Sequence, residues 1–141
     1  MKKRIAIISL LLLLLLSAVA VAQRPMDEQA KLRFAATQHE IISILIEEGE
    51  FDRVLPEFRK IVNLGLQDER LVVQEVGVVT NGLMVLDAFS TAHQIIDEFL
   101  PLAKERENQF TLLMIKGKVF KQEGRLKDAV KMYRQAQELN D

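Results

Sequence analysis

From residue 28 onwards, apolar residues recur every three or four positions, which is the spacing of one face of an α-helix. Leu55, Phe58 and Ile61 show this spacing in the middle of the chain, and Leu126 and Ala129 begin another such stripe near its end. Nothing alternates between apolar and polar residues for more than four positions between turn signals, so no β-strand is predicted. The pattern therefore predicts an all-α chain.

Glycine, proline and aspartate residues divide this pattern into six predicted helices. The helices run from about 27 to 48, 52 to 65, 67 to 86, 89 to 100, 105 to 122 and 126 to 139. Asp52 is the predicted N-cap of the second helix, and Pro101 is predicted to bend or end the fourth. Gly49 suits the left-handed position that ends a helix, and Gly65 and Gly124 are predicted to close two others.

The predicted turns at Gly49, Asp87 and Gly124 repeat with a period of about 38 residues, which is typical of a helical solenoid. The prediction is three stacked antiparallel helical hairpins, spanning about 28–65, 66–104 and 105–141. A finite stack needs a polar outer side at its ends. The last helix has one, formed by Lys127, Lys131, Gln135 and Glu138.

The first 22 residues have the pattern of a secretory signal peptide. Lys2, Lys3 and Arg4 precede a leucine-rich apolar stretch, and the small residues Ala20-Val21-Ala22 follow it. We expect cleavage after Ala22, a short polar lead at 23–27, and export to the periplasm or the extracellular space. The alternative is an uncleaved helix that anchors the chain in the inner membrane, since the apolar span is just long enough.

Composition narrows the possible chemistry. The chain has no cysteine and is slightly acidic, so neither cysteine-bound metals nor nucleic-acid binding is expected. His39 and His93 are isolated and are interpreted as groove-edge or surface histidines, because a metal site needs three or four ligands. The residues supply no convergent catalytic set, so we expect no enzyme activity, no cofactor and no small-molecule substrate.

The last predicted hairpin has a regular order of small, aromatic and turn residues, namely Gly117, Phe120, Gly124, Ala129, Tyr133 and Ala136. This order resembles a tetratricopeptide repeat. The first hairpin is similar at Leu45, Gly49, Phe51 and Phe58, whereas the middle one departs from the pattern at Thr80, Asp87 and Phe99. A related helical-hairpin family with a longer period is the alternative. The resemblance implies a protein-interaction module.

In tetratricopeptide repeats the first helix of each hairpin lines a concave groove. The corresponding positions here are His39, Ser43, Ile46, Glu47, Gln74, Asn81, Met84, Val85, Thr111, Met114, Lys118 and Lys121. The resemblance implies that this groove binds a helix or extended segment of another exported or envelope protein. Asn81 and Lys118 also resemble part of a carboxylate clamp that some members use on a peptide C-terminus.

A structural subunit or homo-oligomer is the alternative function. The first helix contains the nearly continuous apolar run Ile41, Ile42, Ile44, Leu45 and Ile46. A helix that is apolar nearly all round must be covered by something, and a second copy of the chain would do so.

Overall fold

A computed structural model describes residues 25–140 of the chain. In that range every regular element is helical, and six α-helices follow one another. They are α1 (Glu28–Glu47), α2 (Phe51–Val62), α3 (Glu69–Val85), α4 (Phe89–Phe99), α5 (Arg106–Gln122) and α6 (Leu126–Glu138), with a 3-10 turn at Leu100–Leu102. The predicted all-α fold with six helices is confirmed, and α4 ends just before Pro101.

The helices pair in chain order as the hairpins α1–α2, α3–α4 and α5–α6. The hairpins stack, because α3 contacts both α1 and α5, and α4 contacts both α2 and α5. Among the described helices, α6 contacts only α5. The first helices of the three hairpins therefore lie side by side, and α1 and α6 belong to the two ends of the stack.

The three hairpin turns share one backbone conformation. Gly49, Asp87 and Gly124 have φ values of +74°, +56° and +84°. In each turn the next residue donates its backbone N–H to the carbonyl five residues earlier, over 2.8–2.9 Å. This is the left-handed helix end that glycine favours. The sequence therefore repeats a turn geometry and not only a spacing, although Asp87 occupies a glycine-like position.

Aspartates cap two of the helices. The Asp27 carboxylate accepts the backbone N–H of Ala30 at 2.7 Å, and Asp68 accepts that of Arg70 at 3.1 Å. The prediction that Asp52 caps α2 is wrong, since the helix already begins at Phe51. Asp52 lies in the first turn instead, where its negative charge faces the positive end of the helix.

The main core lies between the hairpins. Its largest fully buried side chains include Phe58, Ile42, Leu83, Ile95 and Ile96. Because they come from the first four helices, the first two hairpins share a single core. Leu112 and Val119 of α5 belong to the same buried cluster, so the third hairpin also contributes to this core.

The third hairpin packs through small residues. Ala129 and Ala136 of α6 are buried, and Gly117 of α5 lies directly under the ring of Tyr133. A Cβ atom at position 117 would lie 2.3 Å from Cε1 of that ring. Glycine at 117 therefore allows α5 and α6 to approach closely.

Two glutamates connect the first and second hairpins to the loop that precedes the following hairpin. Glu28, the first residue of α1, accepts the backbone N–H of Gln67 at 2.9 Å. Glu69, the first residue of α3, accepts the backbone N–H of Glu105 at 2.9 Å and the Asn108 amide at 2.8 Å. Partial burial opposes ionisation of Glu69, but these bonds outweigh it and lower the pKa of the carboxyl group.

His93 is not the exposed residue that the sequence suggested. Its Nε2 lies 2.9 Å from the Glu123 carboxylate, and its ring packs 4.2 Å from that of Phe120. The side chain therefore joins α4 to the α5–α6 turn, which is a structural contact between the second and third hairpins.

The predicted signal peptide at 1–22 lies outside the described residues. Between residues 25 and 140 no helix is both long and apolar enough to cross a membrane.

Candidate binding face

The first helix of each hairpin contributes to one continuous surface, which we call the α1–α3–α5 face. On α3 this surface is a row of outward residues, Gln74, Val78, Asn81 and Val85, spaced four, three and four apart. Such spacing keeps all four on one side of a helix. The opposite side of α3 carries Val76 and Leu83, which are fully buried.

Three clefts meet at Val78. Two of them lie along the seam between α1 and α3. The larger has a volume of about 470 Å³, and its lining includes Ser43, Ile46, Val78 and Val85. A second, of about 370 Å³, continues along the same seam toward Leu32 and Leu71. A third, of about 560 Å³, lies toward α5 and includes Asn81 and Lys118. Val78 lines all three, so the clefts form one connected depression.

Several apolar side chains that line this depression are accessible. Val78 is 57% exposed and Val85 is 75% exposed. Leu86, at the end of α3, is also exposed and lines the larger seam cleft. Isolated exposed apolar residues are normal, but a contiguous apolar group inside a concave site is typical of a binding surface.

Charge is distributed unevenly across the face. Glu47 and Glu75 line the clefts on the α1 side, whereas Lys118 lines the cleft on the α5 side. Lys121 lies one turn beyond Lys118, and within residues 25–140 neither lysine is part of an ion pair. A segment crossing the face would therefore meet acidic groups first and basic groups last.

His39 connects α1 to α3 at the edge of the clefts. Its Nδ1 lies 2.9 Å from both carboxylate oxygens of Glu75. Ser43 follows one turn later, so a hydroxyl, an imidazole and a carboxylate lie near one another. In the described structure no hydrogen bond joins Ser43 to His39. The backbone around them belongs to α1 and α3, and its N–H groups donate hydrogen bonds within those helices. Acyl transfer needs both an activated hydroxyl and free N–H donors. What the structure shows for this trio is the His39–Glu75 contact, which joins α1 to α3.

The structure brings together most of the predicted groove residues. His39, Ser43, Ile46 and Glu47 line the larger seam cleft, with Ile46 nearly buried in its floor. Gln74, Asn81 and Lys118 line the cleft toward α5. Thr111, Met114 and Lys121 lie along α5 outside these three clefts, and the Thr111 hydroxyl donates to the Glu107 carbonyl at 2.9 Å.

Met84 is not a groove residue. It is only 4% exposed and belongs to the core cluster. One residue along a helix is a rotation of about 100°, so Met84 lies well off the row that ends at Val85. Consequently, replacing Met84 would damage the core and would not report on binding.

Sequence reasoning missed Val78, the residue at which the clefts meet. The sequence does indicate this residue, because Val78 lies between Gln74 and Asn81 at the spacing of one helix face. The positions transferred from the resembled family left this row incomplete.

No family model matches the chain, and comparisons with curated proteins and with solved structures give no match. The function therefore has to be inferred from the residues and contacts themselves.

Proposed function

We propose that this chain is a non-catalytic protein-interaction module of the cell envelope. Its α1–α3–α5 face binds a helix or an extended segment of another exported protein. The observation that carries this proposal is the connected depression around the exposed Val78, with its apolar floor and polar rim. Helices in grooves are recognised in this way, through apolar anchors on one side of the bound segment.

The polar rim supports the same proposal by supplying orientation. Asn81 offers both a donor and an acceptor beside Val78, and Lys118 offers a positive charge in the same cleft. With Glu47 at the other side, a bound segment would be held with its basic part toward α1 and its acidic part toward α5. Complementary charges of this kind contribute mainly to specificity and association rate.

Two features of the sequence support the remaining parts of the proposal. The signal-peptide pattern that ends at Ala22 supports export. The resemblance of the last hairpin to a tetratricopeptide repeat supports an interaction role, because the family uses the same side of its helices for binding.

Photocrosslinking in the host provides the test. A photoreactive amino acid at position 78 should capture a partner protein, because the side chain lies at the centre of the depression. The matched control is position 130, since Val130 is another exposed valine, 48% accessible, on the outer helix α6. A partner captured from position 130 and not from 78 would contradict the assignment of the face.

A further inference from the structure

The outward side of α1 is unusually apolar for the end of a stack. Among the described helices, α1 contacts only α2 and α3, so its other side is free of helix contacts. Phe34 and Ile41 are each 40% exposed on that side, and Ile44 is 58% exposed. The outer helix at the other end, α6, exposes Leu126 and Val130 as well, but these stand among the exposed polar residues Lys127, Lys131 and Gln135. Ends of helical stacks are expected to be polar, so α1 departs from that rule.

The apolar run in the first helix is divided between two surfaces. Ile42, Leu45 and Ile46 are buried inside the chain, whereas Ile41 and Ile44 remain outside. Phe34, Thr37, Ile41 and Ile44 follow a spacing of three, four and three residues. That spacing is the seam by which two helices pack in a coiled coil.

We propose that two copies of this chain associate through α1, with the two helices antiparallel about a two-fold axis. In this arrangement Phe34 of each copy packs on Ile44 of the other, and Thr37 packs on Ile41. A two-fold contact uses the same patch twice, which is why one apolar stripe is sufficient.

Charge favours this antiparallel pairing over a parallel one. Arg33 and Glu47 flank the stripe on the same side and near its two ends. An antiparallel pair places Arg33 of one copy close to Glu47 of the other, twice per dimer. In a parallel pair the two copies of Arg33 would lie on opposite sides of the seam, each facing the uncharged Gln38 of the other copy, so the opposite charges would not meet.

The seam is short, so the dimer should be weak and concentration-dependent. It covers two heptads, and Glu40 lies near its own copy at the two-fold axis. Small interfaces of this kind are typical of transient association. Glu40 and Glu47 border both the dimer contact and the seam clefts, whereas Val78, Asn81 and Lys118 stay accessible in the dimer.

The absence of cysteine from the whole chain allows a geometric test. Differently tagged full-length chains carrying Arg33→Cys and Glu47→Cys are coexpressed in the host and treated with a short bis-maleimide crosslinker. The antiparallel dimer predicts a product joining the two different variants. Each variant expressed alone should give little product, because identical positions would be about 18 Å apart at residue 33 and about 24 Å apart at residue 47, at 1.5 Å per residue along the helices. Arg33→Cys with Ser90→Cys on α4 is the background control.

Self-crosslinking of either variant alone would overturn the antiparallel arrangement and indicate a parallel one. Equal product from the Ser90→Cys control would overturn the use of the α1 stripe. Sedimentation of the purified protein provides a second readout. Arg33→Glu should weaken self-association, and Arg33→Glu with Glu47→Arg should restore it. A parent chain that sediments as a monomer at every concentration would also overturn the proposal.

Discussion

The contact between Gly117 and Tyr133 leads to a prediction about the sign of a stability change. In an open helix, replacing glycine by alanine stabilises by about 1 kcal/mol. At position 117 the new Cβ would lie 2.3, 2.7 and 2.9 Å from three atoms of the Tyr133 ring. Ordinary carbon contacts are about 3.5–4.0 Å, so the ring would have to move by more than about 1 Å.

Overpacking of this kind costs about 1–3 kcal/mol. We expect a cost near the upper end of that range, because a Cβ atom is fixed to the backbone and cannot move away from the ring. Subtracting the helix gain leaves Gly117→Ala destabilising by about 2 kcal/mol. In a Tyr133→Ala background the clash is gone, so the same change should stabilise by about 1 kcal/mol. The effect of Gly117→Ala should therefore reverse its sign.

Urea unfolding followed by far-UV circular dichroism measures this cycle. Tyr133 is the only tyrosine and there is no tryptophan, so tyrosine fluorescence reports separately on the α5–α6 contact in the variants that keep it. Gly77→Ala is the matched control, because its Cβ would meet Ile115 at an ordinary 3.7 Å. That variant should be stabilised. If Gly117→Ala stabilises the parent as Gly77→Ala does, the close approach of α5 and α6 is refuted.

Three further predictions concern the middle turn, the hairpin junction and the N-terminus. Asp87→Gly should raise the free energy of unfolding by about 0.5–1 kcal/mol, because φ is +56° there; the reciprocal Gly124→Asp should lower it. The pKa of Glu69 is lower in the folded chain than in the unfolded chain, so the ionised side chain stabilises the fold. This stabilisation is complete above the unfolded pKa of about 4.3 and is lost as pH falls through the folded pKa. The stability difference between the parent and Glu69→Gln should therefore shrink on acidification. N-terminal sequencing of envelope-fraction protein should begin at Gln23, and full-length chain in the membrane pellet would favour an anchor.

The helix boundaries could be predicted from sequence because local residues determine them. Asp27 caps α1 through its own side chain, and Gly49 and Gly124 take left-handed conformations that few other residues tolerate. Asp52 was misassigned because the N-cap position of α2 is Glu50, two residues earlier, and nothing local distinguishes an N-cap from a first-turn aspartate.

The binding face was harder to predict than the helices. Which side of α3 faces outward depends on a rotation of about 100° per residue, so the two neighbouring positions that the resemblance assigned to the groove differ: Val85 is exposed and Met84 is buried. Contacts such as His39 with Glu75 join residues far apart in the chain. These contacts depend on how the hairpins stack, and the spacing of apolar residues within one helix does not predict that arrangement.

The most direct test of the α1–α3–α5 face is the affinity of two matched variants for the captured partner. Val78→Glu and Val130→Glu make the same chemical change at valines that are both about half exposed, so both should fold like the parent. A central apolar contact replaced by a charge should weaken binding at least about tenfold, equivalent to 1.4 kcal/mol. Val78→Glu should show this loss, and Val130→Glu should bind like the parent. Unchanged binding by Val78→Glu, together with loss in Val130→Glu, would contradict the account and place the interaction on the outer side of α6.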